Sequence, residues 1–273
     1  MFILRDLWYN KRTMEFISIS KKHSLWSSLA HVFLNIILVV AIWLSILITK
    51  TPIIAIALVI ASKWRTLAVR PRYWVANFKS NLVDLIFSLG MTILIWAGIN
   101  FWATSVVLAA IYIAWLIVIK PSQHKIMIKA QALISIFFGW MALLSVGYAL
   151  PTELIVFCGF VMGYATLRHI LTANEFKNAE ILSLSLSWGL LIAELTWVMN
   201  FLVIGYEITL GDSFSLTLPQ ASILLVTVNF LGFELLEAFR KEKPKMADIL
   251  PSLLFSFLVC FVLIVLFSKI PVN

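Results

Sequence analysis

The sequence predicts an all-α, polytopic transmembrane helical bundle, and three observations carry that expectation. Of 273 residues, 62% are hydrophobic and only 12% are charged, against roughly 45–50% and about 25% in soluble domains. Apolar runs long enough to cross a bilayer recur along the whole chain, separated by short breaker-rich or charged turns. The basic residues gather in alternate turns rather than spreading evenly. No water-soluble globule of this length could hide so much apolar surface, so the excess is expected to face lipid.

An α-helix needs about 20 apolar residues to cross ~30 Å of hydrocarbon. On that measure spans are expected near 25–49, 51–63, 82–100, 101–119, 130–149, 152–171, 179–205, 217–237 and 248–268. The turns between them carry Lys50-Thr51-Pro52, Gly98-Ile99-Asn100, Lys120-Pro121, Pro151 and Gly211-Asp212. Residues 1–24 read as a basic cytoplasmic segment, and 25–273 as one transmembrane domain with a basic, aromatic cytoplasmic loop at 63–81. The apolar run after residue 24 is too long for a signal h-region and lacks a small-residue cleavage site, so it reads as a retained span.

Orientation follows from the bases. If 1–24, 63–81, 120–129, 168–178 and 238–247 are cytoplasmic, they hold 19 of the 21 Lys and Arg and leave only Lys50 and Lys269 opposite. That asymmetry predicts a cytoplasmic N-terminus, an odd number of crossings and residence in a cytoplasmic (inner) membrane. It also accounts for the net charge of +8 without nucleic acid as a partner.

The weak point is the second span. Only Thr51–Ser62 separate Lys50 from Lys63, and twelve helical residues reach about 18 Å. Eight spans plus a re-entrant segment is the alternative, although snorkelling lysines and local thinning can cover the shortfall. Lys followed by an acid or Gln and then Ser opens several expected spans, as in Lys79…Asp84…Ser88 and Lys129…Gln131…Ser135. An acid suited to the positive end of a helix explains this without internal duplication.

Ionisable groups within spans are costly to insert and are candidate sites by default. Glu194 leads them. At 100° per residue, Ser183, Ser187, Glu194 and Trp197 share about 80° of one helix face, as a substrate or proton pathway would need. Asp84, Glu234, His31 and Asn35 are the expected contributors from other helices, and Arg168 is a candidate counter-charge for an acid. In the loop, Arg65, Arg70, Arg72 and Trp74, with Arg168, suit anionic lipid headgroups on the cytoplasmic side. Gly159-Phe-Val-Met-Gly163 offers one small-residue face for close helix packing.

The negatives narrow the function. His23, His31, His124 and His169 are scattered, so no zinc-hydrolase spacing is present. Neither an Asp-rich diphosphate site, a Gly-rich phosphate loop nor a Gly-x-Ser-x-Gly elbow occurs. Cys158 and Cys260 lie in apolar runs, which speaks against a disulfide framework. No catalytic residue, metal or cofactor is expected. Three readings stay open: a small secondary transporter centred on Glu194, a lipid-binding or lipid-modifying protein, and a non-catalytic subunit bound to a partner membrane protein or a second copy.

Overall fold

The computed structural model describes residues 29–64, 68, 70–174, 176–201, 204–240 and 245–267. The basic segment 1–24, with Arg65 and Lys269, lies outside them. Helices α1 (Leu29–Thr49), α2 (Ile53–Ser62), α3 (Trp74–Ser80), α4 (Leu82–Ala97) and α5 (Trp102–Ala114) are followed by α6 (Lys125–Val146), α7 (Thr152–Ala173) and α8 (Asn178–Met199). Strands β1 (Gly205–Leu210) and β2 (Phe214–Pro219) then precede α9 (Gln220–Phe239) and α10 (Met246–Phe261). Among the described residues seven helical segments are long and apolar enough to cross a membrane, and the pair Pro71–Ser80 and Leu82–Ala97, bent by 61°, supplies an eighth if counted as one span. The chain is thus a multi-pass helical membrane protein.

Every expected span has a helix, but boundaries move. The run expected to continue to residue 205 stops at Met199, and the residues beyond it pair as an antiparallel hairpin, Gly205 opposite Pro219 and Leu210 opposite Phe214. Gly211 closes the hairpin with φ +62°, a left-handed value that glycine adopts without steric cost. Thr104 on α5 holds the hairpin by accepting from the Ser215 amide and donating to its carbonyl, both at 3.0 Å.

α2 is short, yet both its ends are fixed. Before it, the Lys50 carbonyl accepts the Trp96 indole N–H at 2.9 Å, at the last turn of α4. After it, the Lys63 ammonium pairs with Asp84, in the first turn of α4. α2 therefore covers the same depth as the stretch of α4 from Asp84 to Trp96. Lys50 turns the chain with φ +57°, a left-handed conformation that costs a non-glycine residue roughly 1–2 kcal/mol.

Two ends of the bundle can be told apart. Lys63, Lys120, Lys125 and Lys129 mark a basic end, and the hairpin, Lys50 and Pro151 mark the opposite, hairpin end. One core joins α1, α2, α4, α5 and α6 around Phe87, Tyr112 and Trp115. A second joins α4, α6, α7, α8 and α9 around Trp140 and Ile192. α4 and α6 belong to both.

Glycines set the closest approaches. A Cβ on Gly163 of α7 would lie 2.8 Å from the Ile192 Cβ of α8, one on Gly159 would overlap the Thr196 side chain, and one on Gly90 would meet the Phe138 carbonyl oxygen at 2.9 Å. Without a hydrophobic drive between helices in lipid, such backbone proximity and the dispersion contacts it allows hold the bundle together. We expect Gly163→Leu to destabilise the purified protein by about 1–3 kcal/mol, read as a lower unfolding temperature in detergent. Gly147→Ala, whose added methyl would meet only the Ile155 Cδ1 at 3.5 Å, should leave that temperature unchanged.

Candidate functional site

At the basic end three helix termini meet. Asp84, 7% exposed, sits in the first turn of α4, Lys63 directly follows α2, and Lys120 follows the π-helical turn Trp115–Ile119 that extends α5. One Asp84 carboxylate oxygen receives Lys63 and, at 2.8 Å, Lys120. The other accepts the Trp115 indole N–H at 3.1 Å. Lys63 also reaches the Ser88 hydroxyl at 3.4 Å.

The π turn is what brings these groups together. Its i→i+5 bond, Lys120 N–H to the Trp115 carbonyl at 2.9 Å, inserts one extra residue per turn. Trp115 lies flat on Phe87, ring centroids 3.9 Å apart and planes 12° off parallel. Its indole edge is thereby presented to Asp84, one turn before Phe87 on α4. The cluster carries two cations against one anion. Beside it, the Tyr112 hydroxyl is buried toward Ser88 with no hydrogen bond of good geometry among the described residues.

A second polar group lies at the same end. Lys129 on α6 bridges Glu234 at 2.9 Å and Glu237 at 2.6 Å, both on α9. Gln131 donates to the carbonyls of Ile119 at 2.7 Å and Ser122 at 2.9 Å, and its own carbonyl meets His169 Nε2 at 2.9 Å. This network ties α5, α6 and α7 where their ends would otherwise fray.

At the hairpin end, a cavity of about 590 Å³ opens among the ends of α4, α6, α7 and α8 and strand β2. Its polar lining is neutral: Ser145, Thr152, Asn200, Ser215 and Thr217. Five residues before Ser145 on α6, Trp140 is fully buried and its indole N–H has no acceptor among the described residues.

The sequence candidates distribute unevenly over this frame. Asp84 and Glu234 fall in the two ion clusters. His31 and Asn35 bond to each other at 3.2 Å on α1 and take part in neither ion cluster. Glu194, Ser187 and Trp197 share one face of α8, as their spacing requires, but that face points outward from the bundle. Arg168 is partly buried on α7 and forms no salt bridge among the described residues; lysines meet the acids instead. Arg70, Arg72 and Trp74 are exposed at the start of the α3 segment. Sequence reasoning passes over Lys63, Lys120 and Lys129 as site residues because they stand at span ends, where anchoring is the default reading. Among the described residues no group of three His, Cys, Asp or Glu could hold a metal ion.

No family model matches the sequence, and neither a curated protein nor a solved structure is similar to it.

Removing Asp84 would leave the largely buried Lys63 beside Lys120 with no anion between them. Breaking a buried ion pair by deleting one partner costs about 3–5 kcal/mol, whereas replacing the whole group by apolar residues is often neutral. Lys120 is partly exposed, so the lower end of that range applies. We expect Asp84→Ala to lower the unfolding temperature in detergent markedly, and Lys63→Met/Asp84→Leu/Lys120→Met to recover most of the loss. A triple variant as unstable as the single one would show that the charges are not what the site depends on.

Proposed function

We propose that this protein is a small permease of the secondary-transporter class. It crosses a cytoplasmic membrane nine times, with its N-terminus and the basic end inside. The observation that carries the reading is the chemistry at the two ends of α4. A neutral polar vestibule touches its last turn, at Leu94, Ala97 and Gly98. A Lys–Asp–Lys cluster around the buried Asp84 closes its first turn.

Ionisable side chains inside a membrane bundle are retained mainly where ions, protons or substrates pass. In this reading the vestibule admits a solute from outside, and the unspent Trp140 indole N–H below it supplies a donor. The Asp84 cluster is the inner closure. Its ion pairs rearrange rather than dissolve when the inner side opens, since either lysine can hold Asp84 while the other leaves. Glu194, facing outward, stands apart from this route.

Nine crossings rest on the two ties of α2 at opposite ends of α4. The inside-basic orientation rests on the bases: of the described residues at the hairpin end, Lys50 is the one Lys or Arg. The subunit reading keeps one point in its favour, the outward polar stripe on α8. A partner helix supplying a donor to Glu194 would explain it.

Cysteine accessibility tests the proposal without knowledge of the solute. In a Cys158→Ala/Cys260→Ala background, a membrane-impermeant maleimide added to whole cells should label Asn200→Cys from outside. Ser88→Cys should resist labelling from either side. Adding Asp84→Asn should open Ser88→Cys to reagent in inverted vesicles. Unlabelled Asn200→Cys would show that the vestibule is dry, and Ser88→Cys still protected alongside Asp84→Asn would remove the closure.

A further inference from the structure

The segment between α2 and α4 is used by neither end of the proposed pathway. A 3₁₀ turn over Pro71–Tyr73 runs into α3, and together these ten residues contain no buried side chain. Tyr73 is 46% exposed, Trp74 42%, Val75 64% and Phe78 52%. An apolar helix that its own chain leaves this bare must be covered by something else, because so many rings in water are unfavourable.

Connectivity decides what covers it. Only Asn81 separates α3 from α4, and the two axes meet at 61°. In the nine-crossing reading proposed above α4 is the span, so α3 lies at its basic end, where hydrocarbon meets water, and runs across the direction of the span. Along α3, at 100° per residue, Trp74, Val75 and Phe78 fall within about 100° of arc, with Lys79 immediately beside them and Ala76 and Ser80 opposite, while Tyr73 belongs to the preceding 3₁₀ turn. That is the distribution of an in-plane amphipathic helix.

Charge identifies the lipid. From Lys63 to Asn81 the sequence has five bases and no acid. Among the described residues Arg70, Arg72 and Lys79 take part in no salt bridge. The Arg72 guanidinium rests on the Tyr73 ring, 4.6 Å from its centroid, which leaves the N–H edges of that planar group for phosphate oxygens. We propose that Pro71–Ser80 is an in-plane helix that seats the protein on anionic phospholipid headgroups through Arg70, Arg72 and Lys79. Each base near an anionic surface contributes roughly a fivefold preference, so the three together discriminate strongly between charged and zwitterionic lipid.

The test uses the full chain in nanodiscs, in the Cys158→Ala/Cys260→Ala background, with a nitroxide at Val75→Cys or Ala76→Cys. Discs contain phosphatidylcholine with or without phosphatidylglycerol. At Val75→Cys, oxygen should relax the label more than a water-soluble nickel chelate does, and at Ala76→Cys the order should reverse. Phosphatidylglycerol should shift Val75→Cys deeper, and Arg70→Gln/Arg72→Gln/Lys79→Gln should abolish that shift while far-ultraviolet circular dichroism stays unchanged. Greater nickel than oxygen access at Val75→Cys in both lipids would overturn the proposal. So would immersion that ignores phosphatidylglycerol, because the bases would then recognise no headgroup. A label held rigid by a stoichiometric co-purifying protein would also overturn it, in favour of a protein partner.

Discussion

The ion pairing of Asp84 is the constraint on which the arrangement of α2, α4 and α5 depends. Three chain segments from widely separated places in sequence end on one carboxylate. One of them, α2, is short of the bilayer thickness: it has ten residues, and its length between Lys50 and Lys63 amounts to about 20 Å at 1.5 Å per residue. A helix this short has little apolar area with which to fix its own depth. It is positioned by a hydrogen bond at one end, Trp96 to the Lys50 carbonyl, and a charge at the other. Neither tie alone would fix how the segment lies against α4. Together they oblige it to run the length of α4 from Trp96 to Asp84. The basic side chains at that level then have to reach water, and Lys120, 38% exposed against 16% for Lys63, does so more readily.

The helices were legible in the sequence because hydropathy over about 20 residues is a strong signal in a membrane protein. The hairpin was not. Phe201-Leu-Val-Ile and Leu216-Thr-Leu-Pro are as apolar as the spans beside them, so length and hydropathy simply extended α8 at its end and α9 at its start. The available clue was periodic: Tyr206-Glu-Ile-Thr-Leu alternates polar and apolar, a period of two, and Gly211-Asp212 supplies the turn. Asp84 was legible as an intramembrane acid, but its partners were not, since adjacency of α2, α4 and α5 is a tertiary fact. Arg168 was the obvious counter-charge by type and lies on a helix that takes no part in the cluster.

Glu194 shows the limit of periodicity more sharply. Spacing establishes that Ser183, Ser187, Glu194 and Trp197 share a face, but not which way the face turns. In water the apolar face turns inward, and polarity would answer the question. In lipid an apolar face is content outside, so hydrophobicity carries no such instruction. The informative residues on α8 are the small ones. Ser185, Gly189, Ala193 and Thr196 are buried and lie on the side opposite Glu194. Gly189 meets the Phe160 backbone oxygen at 3.0 Å from its would-be Cβ, and Gly163 meets Ile192 from the other helix. Small residues mark the side on which a neighbouring helix can come close, and on α8 that side excludes Glu194.

α4 is the element through which the two ends can influence each other. Asp84, Ser88 and Thr92 line one face, turned to the core shared with α2 and α5, while Ile86, Gly90 and Ala97 lie roughly opposite. Gly90 lets the α4 backbone rest almost directly on Phe138 and Gly139 of α6, so α4 cannot translate toward α6; it can only tilt or rotate about that contact. The vestibule lies beyond the contact on the hairpin side, at Leu94, Ala97 and Gly98, and Asp84 lies beyond it on the basic side. In the proposed pathway a tilt that widened the vestibule would move Asp84 relative to Lys63 and Lys120, with Gly90 as the pivot, about 9 Å from Asp84 and about 6–12 Å from Leu94 to Gly98 at 1.5 Å per residue. Interfaces packed this closely switch between discrete arrangements rather than deforming continuously. An anion shared by two cations is suited to such a switch, because losing one partner still leaves Asp84 paired with the other.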